Sequence, residues 1–177
     1  LKAIANLYIY IIRGTPMLVQ ILIIYFGLGQ MLRPTGFRWL NIGGTFTAGT
    51  VALSLNAGAY MAEIVRGGIE AVDKGQIEAA RSLGLTYGKT MKKIVLPQAL
   101  RTMLPSIINQ FIISIKDTSL LSVIGLTELT NVGKTIAATK SAHMMVIYCF
   151  MACYYLFICT VLAQVSKVVE KRLSYGK

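Results

Sequence analysis

Polar side chains set at helical spacing within apolar sequence are where this chain could do chemistry. Ser106, Gln110, Ser114 and Thr118 recur every four residues, so on a helix they form one line. Asp117 lies beside that line, Lys116 falls with Asn109 on a neighbouring face, and Ser119 follows directly. A charge at membrane depth costs about 3 kcal/mol on insertion scales and therefore turns toward the bundle interior or a wet cavity. Two readings stay open: a polar seam that holds helices together, or the lining of a path in which Asp117 faces an ammonium and Lys116 a carboxylate. A second stripe, Asn56, Tyr60 and Glu63, has i, i+4, i+7 spacing. For Asn56 and Tyr60, packing and hydrogen bonding are favoured slightly over ligand contact, and Glu63 is placed to pair with Arg66.

Other chemistries fail on spacing. Gly133-Lys134-Thr135 and Gly88-Lys89-Thr90 both match the end of a phosphate loop, but Glu128 and Leu83 stand where the leading glycine belongs. Neither triplet follows a strand, as the phosphate cradle requires, so any ATPase is a partner. A serine-protease reading of Ser119 with His143 lacks a nucleophile elbow, and no zinc HExxH motif is present. His143 is the sole histidine and reads as a solvated interfacial residue. Cys149, Cys153 and Cys159 sit inside one apolar run and read as small buried apolar residues rather than as disulfide or metal ligands.

The elements that hold these residues are membrane helices. The 177 residues are 55% hydrophobic and 14% charged, against roughly 25% charged in soluble domains. The net charge of +11 falls mostly between and after apolar runs, which argues for the positive-inside rule and against nucleic acid. Four spans are expected in one domain, residues 1–177: A from Met17 to Leu32, B from Thr45 to about Val65, C from about Thr102 to Leu126, and D from His143 to Val165. Thr15-Pro16 supplies an N-cap and first turn for span A, after an interfacial Arg13. Ala48/Ala52 and Gly58/Ala62 are small-residue pairs suited to close helix contact. Segment 66–101, with seven Lys/Arg against three Asp/Glu, and the tail with Lys167, Lys171, Arg172 and Lys177 against Glu170, face the cytoplasm. Loops 33–44 and 126–142 face outward, and the N-terminus lies inside.

Segment 66–101 has local structure of its own. Asp73 with Gln76 forms a capping box, Gly84 ends the first short helix in a left-handed cap, and Thr86 caps a second. Tyr87, Met91, Ile94 and Val95 share one face of that second helix and Lys89, Lys92 and Lys93 another, and Pro97 is expected to end it. The apolar face suits the membrane interface, and the lysines suit headgroups or an acidic partner.

At these residues the chain resembles the permease subunits of ABC importers. Glu78, Ala79, Ala80, Gly84, Ile94, Leu96 and Pro97 match the EAA pattern, with Arg81 beside them. Arg13-Gly14-Thr15-Pro16, NAGAYMAEIVRGG from Asn56, LPQALR from Leu96 and NQFIISIKDTSLL from Asn109 narrow the resemblance to the polar amino acid uptake group. It covers essentially the whole chain, apart from a transmembrane helix that family members usually have before Arg13. The resemblance implies an all-α polytopic bundle with five spans when complete, and short cytoplasmic coupling helices that dock on an ATPase subunit. It also implies a second permease copy as a homo- or heterodimer, an extracytoplasmic amino-acid-binding protein, and a bacterial cytoplasmic membrane. ATP and Mg would be bound by the ATPase, with no cofactor in this chain. Small Ala79 and Ala80 would let the partner approach closely, with Glu78 and Arg81 as charged contacts.

Overall fold

The computed structural model describes residues 1–174; Lys177 of the basic tail lies outside them. Among these residues there are helices and no strands. In chain order they are α1 (Lys2–Gly14), α2 (Met17–Met31), α3 (Gly44–Glu70), α4 (Lys74–Ser82), α5 (Tyr87–Ile124), α6 (Leu129–Thr139) and α7 (Met144–Ser174). Short 3-10 turns, Arg33–Thr35 and Trp39–Ile42, join α2 to α3.

By length and composition α5 (38 residues, mean hydropathy 1.3) and Met144–Lys171 of α7 (28 residues, 2.2) can cross a membrane. The α1–α2 pair qualifies as a third only if its 111° bend is counted within one span. At 27 residues α3 is about 40 Å long, which is sufficient in length. Its lower apolarity has a packing reason: it is the central helix, contacting α1, α2 and α5, so small and polar residues replace lipid-facing ones.

Several boundaries differ from the sequence expectation. Residues 2–14, for which the sequence reading drew no element, form α1. The first span starts at Met17 as expected, but its cap differs: Pro16 rather than Thr15 occupies the N-cap position, while the Thr15 hydroxyl donates back to the Ile11 carbonyl at 2.8 Å and so finishes α1. Pro97 does not end a helix. A wide π turn over Met91–Val95, with the Leu96 N–H bonding the Met91 carbonyl, absorbs the register slip that the proline imposes, and α5 continues to Ile124. The stretch expected as an outer loop contains α6, because Glu128 caps it, accepting from Thr130 N–H at 2.8 Å and Asn131 N–H at 2.6 Å. Gly133 lies within α6, where a Cβ would overlap Met151 Sδ of α7. That glycine permits helix contact and cradles no phosphate.

Two buried clusters fix the bundle. Ile21, Ala52, Leu121 and Ile124 join α2, α3 and the last turns of α5. Val72, Val95, Ala99 and Met103 join the end of α3 to the start of α5. Close approach uses Ala48 and Ala52, both 1% exposed, as expected. Gly58 and Ala62 are exposed instead. Gly49 takes over beside Leu121, and Gly68 beside Met103, each with 2.9 Å to a would-be Cβ. Trp39 turns inward, its indole N–H donating to the Tyr25 carbonyl at 3.0 Å.

Candidate functional site

Helix α4 begins at Asp73, whose carboxylate accepts from Gly75 N–H at 2.6 Å. The reciprocal half of the capping box does not form; the Gln76 side chain reaches Gln98 on α5 instead. The helix ends at Gly84, φ 79°, with Leu85 N–H on the Ala80 carbonyl (3.2 Å) and Gly84 N–H on that of Arg81 (3.0 Å). This paired closure satisfies two terminal carbonyls and needs the left-handed residue that glycine supplies. Thr86 has the extended backbone of an N-cap, but its side chain makes no capping bond.

The EAA residues divide. Ala80 is 3% exposed and turned into the chain, where α4 packs on the first turns of α5, so it offers no surface to a partner. Glu78, Ala79, Arg81 and Gly84 are exposed, and Leu83 is 84% exposed. The apolar face expected on the second short helix is partly realised: Val95 is fully buried and Met91 and Ile94 half-buried, but Tyr87 is exposed and Thr90 is buried in its place. Lys89, Lys92, Lys93, Leu96 and Pro97 are exposed. An outward acidic-basic-leucine tip is thereby held on a base that is packed into the bundle.

The polar line of α5 does not stay on one face of the bundle. Gln110 is 4% exposed on the stripe that carries Ala99 and Met103 against α3. Ser114, Asp117, Thr118 and Ser119 are half-buried, and the Thr118 hydroxyl folds back to the Ile115 carbonyl at 2.7 Å. Ser106 and Asn109 instead line a groove against α7, and Lys116 is exposed. Asn56 is buried and donates to Gln20 Oε1 at 2.9 Å. Gln20 Nε2 in turn donates to the Ile12 carbonyl, the Thr15 carbonyl and Thr15 Oγ1, so Asn56 pins the α1–α2 bend. His143 is exposed at the start of α7; Cys149 and Cys153 are exposed along it rather than buried as expected, because they lie on a face of α7 that no other helix covers among the described residues.

One cluster escaped the sequence reading. Glu63 pairs with Arg66 through two bonds (2.8 and 3.0 Å), as expected, and also with Arg13 of α1 at 2.8 Å. Arg13 lies over the Tyr60 ring at 5.5 Å, a cation–π contact. These residues, with Glu70, line a cleft of about 670 Å³ along α1. Arg13 and Glu63 are fifty residues apart, so only the helix crossing brings them together.

A multi-helix membrane bundle that presents one capped polar tip outside its apolar surface, continuous with a spanning helix, has the form of a transport subunit driven by a partner. The family model described as "Binding-protein-dependent transport system inner membrane component" matches residues 1–175, and the chain belongs to that family. It is 44% identical over 170 residues to the glutamine transport system permease protein GlnP of Escherichia coli K12, covering 96% of this chain and 74% of that protein. It is 41% identical over 173 residues to the L-cystine transport system permease protein TcyB of Bacillus subtilis, covering 98% and 70%. A crystal structure of an amino acid ABC transporter with histidines superposes with a TM-score of 0.86 at 40% identity, covering 97% of this chain and 76% of that one. The MetNI methionine transporter matches in fold alone, TM-score 0.66 at 19% identity, over 95% and 73%. The chain is thus a multi-pass membrane permease subunit of an ABC importer and not an enzyme; a partner ATPase hydrolyses ATP, and a binding protein belongs to the system.

Proposed function

We propose that this permease carries a polar amino acid across a bacterial cytoplasmic membrane as one of two permease copies, beside two ATPase subunits and an extracytoplasmic amino-acid-binding protein. The names of the relatives, which include glutamine, arginine and cystine permeases, support the cargo class. Residues 66–101 form the cytoplasmic docking loop, and Glu78, Ala79, Arg81 and Gly84 meet the ATPase. The observation that carries this reading is the unbroken α5. The helix that starts beside the docking tip at Tyr87 is the helix that bears Gln110, Ser114, Lys116 and Asp117. Its first turns are locked to α3 through Val95, Ala99 and Met103. Closure of the ATPase pair moves α4, and the packed base passes that displacement to α5, switching the bundle between its two open states. Asn109, Gln110, Ser114, Lys116, Asp117, Thr118 and Ser119 line the path, with Asp117 facing the ammonium and Lys116 the carboxylate. Asn56 and Tyr60 border it through their structural contacts.

The test is uptake by proteoliposomes that hold the whole importer, with a panel of labelled amino acids. Asp117→Asn should lower uptake without lowering recovery of the assembled complex. Unchanged uptake kinetics in that variant would remove Asp117 from the path. Co-purification of the ATPase that survives alanine replacement of residues 78–84 would remove the docking assignment.

A further inference from the structure

The groove between α5 and α7 holds a set of polar groups that docking does not use and that shares only Asn109 with the Asp117 path. It measures about 380 Å³, and its polar lining is Ser106 and Asn109 of α5 with Ser166, Lys167 and Glu170 of α7. Ser166 is 8% exposed, and its hydroxyl donates to Glu170 at 3.3 Å, which orients that carboxylate on the α7 wall. Among the described residues, the Ser106 hydroxyl and the Asn109 amide bond no other group of the chain, and Lys167 has no ion pair. Ser106, Asn109, Lys167 and Glu170 are exposed along the groove, so their free donors and acceptors are open to a ligand. The groove lies toward the basic end, a few residues beyond Arg101 on α5 and at the start of the basic tail on α7.

We propose that this groove is a second, product-side site for a zwitterion with a primary ammonium within a few bonds of an anion. Lys167 and Glu170 are three residues apart on one helix, so a cation and an anion stand one turn from each other. Lys167 takes the ligand's anion, Glu170 its ammonium, and Asn109 and Ser106 the remaining hydrogen bonds. Two sources have this chemistry: a free amino acid on the cytoplasmic side, and an aminophospholipid headgroup. The proposal rests on the cargo and orientation read above. A ligand here bridges α5, which starts beside the docking tip, to α7, so occupancy slows transport.

The importer, assembled with its ATPase and binding protein, is reconstituted in phosphatidylcholine vesicles with ATP inside. Initial uptake of labelled external L-glutamine is compared with and without L-glutamine preloaded inside. Preloading should slow wild-type uptake. Lys167→Met and Glu170→Gln should each weaken that inhibition about tenfold or more, the effect of losing a charge-assisted hydrogen bond, and leave unloaded uptake unchanged. If the headgroup is the occupant, preloading has no effect, and native mass spectrometry finds phosphatidylethanolamine retained by wild type and released by both variants. Either result supports the site and names its ligand. Inhibition that persists in both variants, or neither inhibition nor selective lipid retention, overturns it. A wild-type importer that takes up no L-glutamine overturns the choice of cargo alone, and the groove is then decided by lipid retention.

Discussion

Gly84 allows the shape of the docking tip to be separated from its surface. Its φ of 79° puts it where L side chains are strained, yet a Cβ built there meets nothing within 4 Å. Gly84→Ala therefore costs only backbone strain, about 1–2 kcal/mol, and Gly84→Asn less than that because asparagine visits the left-handed region readily. Against a stability of about 5–15 kcal/mol, both variants fold. Gly84→Asp is also tolerated by the backbone, but it adds bulk and negative charge beside exposed Glu78, Arg81 and Leu83. The expected order is therefore near-normal accumulation for all three, near-normal transport for the alanine variant, and loss of ATP-coupled uptake for the aspartate variant. Accumulation is read by solubilised yield and thermal midpoint, and coupling by uptake against ATPase rate in proteoliposomes. Asparagine distinguishes the two roles: it fails with aspartate if the partner needs an empty surface, and passes with alanine if only charge is excluded. Full coupled uptake by Gly84→Asp would refute docking at this tip, and failure of Gly84→Asn to accumulate would refute the strain estimate.

Two further substitutions test the packing that supports the tip and the path. Gly68→Ala places a Cβ 2.9 Å from Met103 Cβ and 3.3 Å from the Ala99 carbonyl, atoms that cannot swing aside. It should cost about 1–3 kcal/mol and lower uptake, whereas Gly67→Ala, with nothing within 4 Å, should be neutral; equal effects in a thermal-shift assay would dismiss the close contact. Gln20→Leu strips the buried Asn56 amide of its acceptor, about 1–3 kcal/mol, reduced where the bilayer-unfolded state finds other partners. Adding Asn56→Leu should recover part of the lost thermal midpoint, and strictly additive losses would show that the pair is not coupled.

Local signals were the legible ones. Asp73 and Gly84 bracket α4 because a carboxylate N-cap and a left-handed glycine act within a few residues, and Glu63 with Arg66 is one turn of one helix. What stayed hidden depends on partners distant in sequence. Ala80 is as small as Ala79, and only the packing of α4 on α5 decides which of them faces out. Pro97 carries a strong local stop signal, but the π turn before it and the buried Val95 and Ala99 after it override that signal. Arg13 read as a lone interfacial charge because its carboxylate partner lies on a helix fifty residues away. The single polar line drawn along α5 assumed one polar environment, whereas α3 packs on one side of that helix and α7 on the other. Glu128 was read as a charge in the outward loop 126–142, yet a carboxylate followed by Leu129-Thr130-Asn131 also has the form of an N-cap, and that signal could have revealed α6.

The placement of the polar residues on α5 bears on how a pull at the tip reaches them. Near its middle, Met103 sits against Gly68 of α3; near its end, Leu121 sits against Gly49 of the same helix, each with no side-chain layer between. Two such contacts, with Ala52 and Ile21 completing the second, hold the latter half of α5 to α3 at two levels. Close-packed interfaces of this kind do not slide continuously, so α3 and α5 are carried together as one body when α4 moves. Gln110, Ser114 and Asp117 lie between the two contacts and travel with that body. Any change in their exposure then comes from separation along the other sides of α5, including the one toward α7. The α7 side is where Ser106 and Asn109 already open onto a groove, so the loosest boundary of α5 is also its most polar one.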